Sequence, residues 1–150
     1  MSSINRTVDN ILKGKISIIQ LKHGFRYGFD AVFLAAFVNS FLLQYKIKDV
    51  LLADVGSGVG TISLIIAHKN KKIKLTAMEN NDQYLELARE NIINNNFQKQ
   101  INLLNSDVFN INKDLFNTFD IVVSNPPFYK EHKNSSKNEL ENYAKIIISI

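Results

Sequence analysis

Asp49-Val50-Leu51-Leu52-Ala53-Asp54-Val55-Gly56-Ser57-Gly58-Val59-Gly60-Thr61 is the stretch whose reading decides the fold. Its first half, Asp49–Val55, is an apolar run of the length of a buried strand. Its second half is a glycine loop, and Thr61–His68 continues as an apolar helix. Strand, glycine turn and helix in immediate succession read as the opening of a βαβ unit. Downstream the alternation persists. Lys72–Met78 reads as a second strand. Asp82–Asn94 reads as a helix, with Leu85, Ala88, Ile92 and Ile93 near helical spacing. Ile101–Leu104 is a third strand and Phe119–Ser124 a fourth. Strands separated by helices imply an α/β fold with parallel strands and right-handed crossovers. Both faces of such a sheet are covered, so its strands read as apolar runs.

Upstream of the loop, residues 13–21 read as a short strand region, and Gly24 and Gly28 bracket a turn. Asp30 is positioned to cap a helix over roughly 31–43. That helix is apolar nearly all round, which predicts deep burial. Phe33, Phe37 and Phe41, at i, i+4 and i+8, are expected in the core.

Bulk properties narrow the classes. A chain of 150 residues is one domain by length. Its 45% hydrophobic and 21% charged residues are ordinary for a soluble globular protein. No cysteine is present, which excludes disulfides and thiolate metal sites and fits a reducing cytoplasm. No apolar stretch is long enough to span a bilayer. Residues 1–6 lack the pattern of a signal peptide. The net charge of +4 permits an anionic partner such as RNA. The chain is rich in Asn, Ile and Lys and poor in Arg, an AT-rich codon signature, so the lysine excess weighs little. Lys69, Lys71, Lys72 and Lys74 bracket a loop and read as a solvated edge. His23, His68 and His132 are isolated and make no metal spacing, so no metal is expected.

Chemistry concentrates in four places. Gly56, Gly58 and Gly60 permit a tight turn and close approach of backbone to a ligand, though such a turn also serves packing alone. Asp54 precedes them and can accept hydrogen bonds from a ligand ammonium. Glu79 ends the second strand about 20 residues on, the offset at which an acidic side chain meets ribose hydroxyls. Asp107 follows the third strand. It can accept from an adenine amino group with Val108 against the ring, or simply form an Asx-turn. Asn125-Pro126-Pro127-Phe128 follows the fourth strand. An aromatic amino nitrogen is a poor nucleophile because its lone pair is delocalised. The Asn125 side-chain oxygen and the Pro126 carbonyl are two acceptors that can draw its hydrogens toward tetrahedral geometry. Proline keeps that segment stiff, and Phe128 can stack on a base for about 1–3 kcal/mol. Lys130, His132, Lys133 and Lys137 follow and can meet phosphates or stay solvated.

Taken together, these segments resemble the class I S-adenosylmethionine-dependent methyltransferases of the methyltransferase small domain group. Within it they are most similar to the tRNA adenine-amino methyltransferases that act beside the anticodon of a valine tRNA. The run Ile19–Ala36, with Gln20, Arg26 and Asp30, looks like that family's opening signature. It separates the chain from release-factor glutamine methyltransferases, which share the Asn-Pro-Pro-aromatic step. Leu21 departs from the family's usual proline.

The resemblance implies a Rossmann-like methyltransferase fold and S-adenosylmethionine as cofactor. Cofactor contacts would be Asp54, Gly56, Gly58, Gly60, Glu79, Asp107, Val108 and Asp30, with Gln20 and Arg26 near the pocket. Asn125, Pro126, Pro127 and Phe128 would form the methyl-acceptor site, and tRNA would be the partner. Residues 1–30 would flank the cofactor, and 31–150 would be a partial methyltransferase domain. The family fold has seven strands, of which this chain would supply the first four and would then be a C-terminally truncated form. The fourth strand is then an edge, open to the apolar tail Lys145–Ile150 or to a second polypeptide. Alternatives to tRNA adenine are guanine in ribosomal RNA, a protein glutamine, or a non-catalytic fragment that binds cofactor or a partner only.

Overall fold

The computed structural model describes residues 5–24 and 26–126. Pro127, Phe128, the cationic stretch Lys130–Lys137 and the tail Lys145–Ile150 lie outside the described residues, as does Phe25 of the opening signature.

Four parallel strands form the central sheet: β3 (Leu51–Val55), β4 (Lys74–Glu79), β5 (Ile101–Asn105) and β6 (Ile121–Ser124). Their spatial order is β5-β4-β3-β6. The chain steps outward from β3 to β4 and β5, then returns to the other side of β3. That reversal makes a switch point between β3 and β6, where parallel sheets bind ligands. The α/β expectation with four parallel strands holds. β6 pairs with β3 alone among the described strands.

Helices α2 (Thr61–Lys69) and α3 (Asp82–Asn94) follow β3 and β4. Residues 62–67 of α2 are all buried, so this helix needs no amphipathic stripe. At the start of α3 the Asn81 side chain accepts from the backbone N–H of Gln83 and Tyr84, satisfying donors that the first turn leaves open. The core runs from Leu52, Leu75, Ile101, Ile121 and Val123 of the sheet into Leu64 and Ile66 of α2 and Leu87 of α3.

Ahead of the sheet stands a hairpin, β1 (Arg6–Ile11) and β2 (Ile16–Leu21). The strand expected over 13–21 is thus β2, and β1 is an addition to the sequence-based expectation. Ile16, Ile18 and Gln20 share one buried face of β2. Beyond β1, the backbone of β2 meets side chains of α3. Asn91 Oδ1 accepts from Ile19 N–H at 2.7 Å and its Nδ2 donates to Ile19 O at 2.9 Å. Asn95, one turn on, repeats the pairing with Ser17. Asn91 Nδ2 also donates to Val59 O in the glycine loop at 3.0 Å.

Helix α1 (Phe29–Gln44) corrects two expectations. Asp30 is not its cap: Gly28 occupies that position, with no side-chain cap bond, and Asp30 lies inside the first turn. Nor is the helix buried all round. Ala31, Leu34, Ala35, Val38 and Leu42 face the core. Phe33 is 70% exposed and Phe37 48%, whereas Phe41 packs against the core. Phe33 and Phe37 lie off the Ala/Leu/Val stripe that packs, and an all-apolar helix does not announce which stripe will.

Candidate functional site: a cleft at the carboxyl end of the sheet

Parallel register brings the two sequence motifs together. Val55, the last residue of β3, pairs with Ser124, the last of β6. Ser124 Oγ donates to Val55 O at 2.9 Å. The glycine loop and the Asn125-Pro126 step therefore leave adjacent strands at the same end. They share a cavity of about 400 Å³ whose wall includes Gly56, Gly58, Glu79, Val108, Asn125 and Pro126. That size falls within the range of about 300–1,000 Å³ typical of small-molecule sites. A smaller hollow of about 40 Å³ adjoins it, lined in part by Tyr27, Ser57, Thr61, Tyr84 and Asn125. Asn125 and Tyr84 border both.

The loop is held open from below. Gly56 N–H and Ser57 N–H both donate to Met78 O at 2.9 Å. Gly56 and Gly58 have φ of +72° and +56°, where a side chain is strained, and no atom stands within 4 Å of where a Cβ would sit. Their bare backbone thus faces free space. Gly60 does a different job. It starts α2 in a left-handed conformation, and its missing Cβ would meet Ala88 of α3 at 3.8 Å.

Glu79 fastens the loop to β4. One carboxylate oxygen accepts from Gly58 N–H at 2.8 Å, the other from Asn80 N–H at 3.0 Å and Asn81 N–H at 2.9 Å. A carboxylate offers about four acceptor positions, so these three bonds leave about one free on a residue that lines the cavity.

Asp54 lies beneath the loop, fully buried. Its Oδ2 accepts from Ser63 N–H at 3.1 Å and Ser63 Oγ at 2.7 Å. Burial pushes its pKa up from 3.8 to about 6, against the lowering effect of Ser63, with the Glu79 charge adding to the rise. Its second oxygen, Oδ1, has no partner among the described residues, and neither have the buried hydroxyls of Ser57 and Thr61. The unpartnered hydroxyls of Ser57 and Thr61, which line the small hollow, fit a polar ligand tail there, whereas Asp54 lines neither hollow.

Asp30 and Asn125, 95 residues apart in sequence, meet directly: Asn125 Nδ2 donates to Asp30 Oδ2 at 2.8 Å. Asp30 itself is not among the lining residues of either hollow, although Ala31 is. A Cβ at Gly28 would press on Asp30 Oδ1, so a side chain there would make the Asp30 carboxylate shift. The Asp107 carboxylate turns back to cap a short helical turn, accepting from Phe109 N–H at 2.9 Å, while its neighbours Ser106 and Val108 line the cavity. Gln20 and Arg26 are absent from the lining. Both meet Asp9, and Arg26 also donates to Thr7 Oγ1 and Leu21 O. Arg26 ties the hairpin to the chain entering α1, while the Gln20–Asp9 bond lies within the hairpin itself. Sequence reasoning does not single out Tyr27, Tyr84, Ser57 or Thr61. Of the four, Ser57 and Thr61 carry a signal there through the glycine stretch, and Tyr27 through its place between Gly24 and Gly28.

The architecture defines the Rossmann-like methyltransferase fold. The 16S rRNA N2 methyltransferase of T. thermophilus, solved with AdoMet and guanosine, superposes with a TM-score of 0.64 at 20% identity, over 83% of this chain and 33% of that one. The chain belongs to the methyltransferase small domain family, whose profile matches residues 34–145. A tRNA1(Val) (adenine(37)-N6)-methyltransferase of Flavobacteriaceae bacterium (strain 3519-10) is 30% identical over 118 residues, 77% of this chain and 47% of the relative. A release factor glutamine methyltransferase of Fusobacterium nucleatum is 32% identical over 103 residues, 67% of this chain and 28% of the relative. The chain spans about half the length, or less, of these curated relatives.

Proposed function

We propose that this chain takes part in methyl transfer from S-adenosylmethionine to the exocyclic amino group of an adenine in tRNA. One observation carries the reading: Asn125 and Pro126 share a cavity with Gly56, Gly58 and Glu79. The relative that acts on adenine of a tRNA supports the acceptor.

The cofactor's adenosine would lie in the larger cavity, its ribose at Glu79 and its adenine along Val108. Its amino-acid end would reach the small hollow at Ser57 and Thr61, with Asp54 beneath them. When bound it supplies an electrophilic methyl, so neither metal nor covalent enzyme intermediate is required. The protein contributes position and fixed dipoles. Asn125 gives its amide N–H to Asp30, which leaves its Oδ1 as an acceptor for the substrate amine. The Pro126 carbonyl is the second acceptor, and Phe128 would stack on a base drawn out of its helix.

Incubation of the chain with labelled S-adenosylmethionine and unmodified tRNA, followed by nucleoside mass spectrometry, tests this. N6-methyladenosine is the expected product. A second reading has its own support: the Fusobacterium relative acts on a glutamine, and an amide NH₂ suits the same two acceptors. Methylated glutamine on a release factor, with tRNA untouched, would select it.

A further inference from the structure

At the opposite end of the sheet lies a second cavity, about 390 Å³, that the proposed chemistry does not use. Two connections build it, the one from α1 to β3 and the one from α2 to β4. They lie side by side because β3 and β4 pair from their first residues, Leu51 with Lys74. Its floor includes Ile47 and Ile73, and its rim carries Lys46, Lys48, Lys71 and Lys72. None of the four makes an ion pair among the described residues, whose two salt bridges are Arg6–Glu90 and Arg26–Asp9. Lys71 sits over the Phe97 ring at 5.1 Å. The Lys74 ammonium, bonded to Lys99 O, adds charge at the same edge. Two carboxylates are near. Asp49 follows Lys48 in the chain, and Asp120 accepts from Leu51 N–H at 2.9 Å. The charges also act on His68, whose pKa is lowered first by burial and then by Lys71, Lys69 and Lys15.

The cleft end has the opposite character. Asp30, Glu79, Asp82 and Asp107 gather there, and no lysine or arginine lines either hollow. A polyanion finds little attraction at that end from the described residues. Unpaired cations around a concave apolar floor focus positive potential instead at the far end.

We infer that the Lys46–Lys48–Lys71–Lys72 cavity holds the phosphate backbone of the RNA whose base enters the cleft, as an anchor remote from the chemistry. This rests on the RNA reading given above. A concave rim suits a ridge of phosphates better than a flat anionic membrane, and its apolar floor offers a place for an unstacked base.

The test uses the full chain and labelled, unmodified tRNA in fluorescence anisotropy across a salt series. Replacing all four lysines by glutamine is expected to weaken binding by about tenfold or more at low salt and to reduce the log–log salt slope by about 3, the value for four lost phosphate contacts. The Lys→Arg quartet should bind like the parent, and calorimetric affinity for S-adenosylmethionine should not change in either. Unaltered affinity and slope in the glutamine quartet would overturn the inference. So would a parent chain that ignores tRNA, whether or not it binds phosphatidylserine vesicles or polyglutamate. RNA binding that depends on these lysines without methyl transfer would leave the anchor standing and remove the methylation reading. Methyl transfer with RNA affinity indifferent to the lysines would do the reverse.

Discussion

The two ends of the sheet are built from the same strands and differ in nearly everything else. Where β3, β4 and β6 end, glycines, carboxylates and amides converge on a cavity. Where β3 and β4 begin, lysines surround an apolar floor. The difference has an electrostatic reason on the proposed reading. A sulfonium donor is a cation, so lysines near it would oppose its binding, whereas phosphates require them. Placing the two a strand's length apart, about 17 Å for five residues, satisfies both.

The strongest way to break this contrast is at Asn125. Asn125→Ala should lower the rate of transfer by about 100-fold or more, the scale for losing a preorganised polar group at a reacting centre. Calorimetric affinity for S-adenosylmethionine should stay within a few-fold. An equal loss of both would mean that Asn125 serves cofactor binding and that the cleft is not divided between donor and acceptor.

Asn91→Ala probes what supports the cleft. It leaves Ile19 N–H, Ile19 O and Val59 O without their partner. Denaturant unfolding should show a loss of about 3 kcal/mol, each orphaned buried group costing about 1–3 kcal/mol. A loss below about 1 kcal/mol would mean that the glycine loop holds its shape without the helix.

Asp54 sharpens the contrast through pH. Its folded pKa is raised, from 3.8 to about 6, so its favourable contribution is complete below the lower value and disappears as pH rises through the upper one. Asp54→Asn keeps an acceptor for Ser63 and removes the buried charge. It should raise stability at pH 7 by about 1–3 kcal/mol and flatten the stability profile between pH 4 and 6, read by thermal melts. Weaker cofactor binding in the same variant would show that the charge is kept for the ligand at the expense of the fold.

The smallest effect is expected at Asp30. Asp30→Ala frees the Asn125 amide to rotate, and should slow transfer by about tenfold, the order of one charge-assisted hydrogen bond. Asp30→Asn retains an acceptor and should recover part of the rate with KM little altered.

Much of this architecture is legible in the sequence. The glycine turn, the four parallel strands and the site at the ends of β3 and β6 follow from short-range patterns joined by one rule of parallel topology. What escapes such reading depends on distant partners or on turn geometry. The β1–β2 turn bends through Leu12 and Lys13 at φ of +50° and +58° before Gly14, without the Asn-Gly pair that advertises such turns. Asp30 looks like a helix cap because capping is local, and only the folded chain shows that Gly28 starts the helix while Asp30 meets Asn125. Asp107 takes the local alternative, a turn of its own. Tyr84 reaches the cavity from α3, where nothing in its neighbours marks it out.

Asn91 and Asn95 carry a last consequence. A strand margin normally finds its hydrogen bonds on another strand, and an open one invites whichever chain comes near. Here two amide side chains, spaced by one helical turn, substitute for a run of peptide groups and close the margin of β2. The hairpin is thereby docked in a single register, its exposed-edge hazard on that side is removed, and one of the pair, Asn91, also steadies the glycine loop over the cleft.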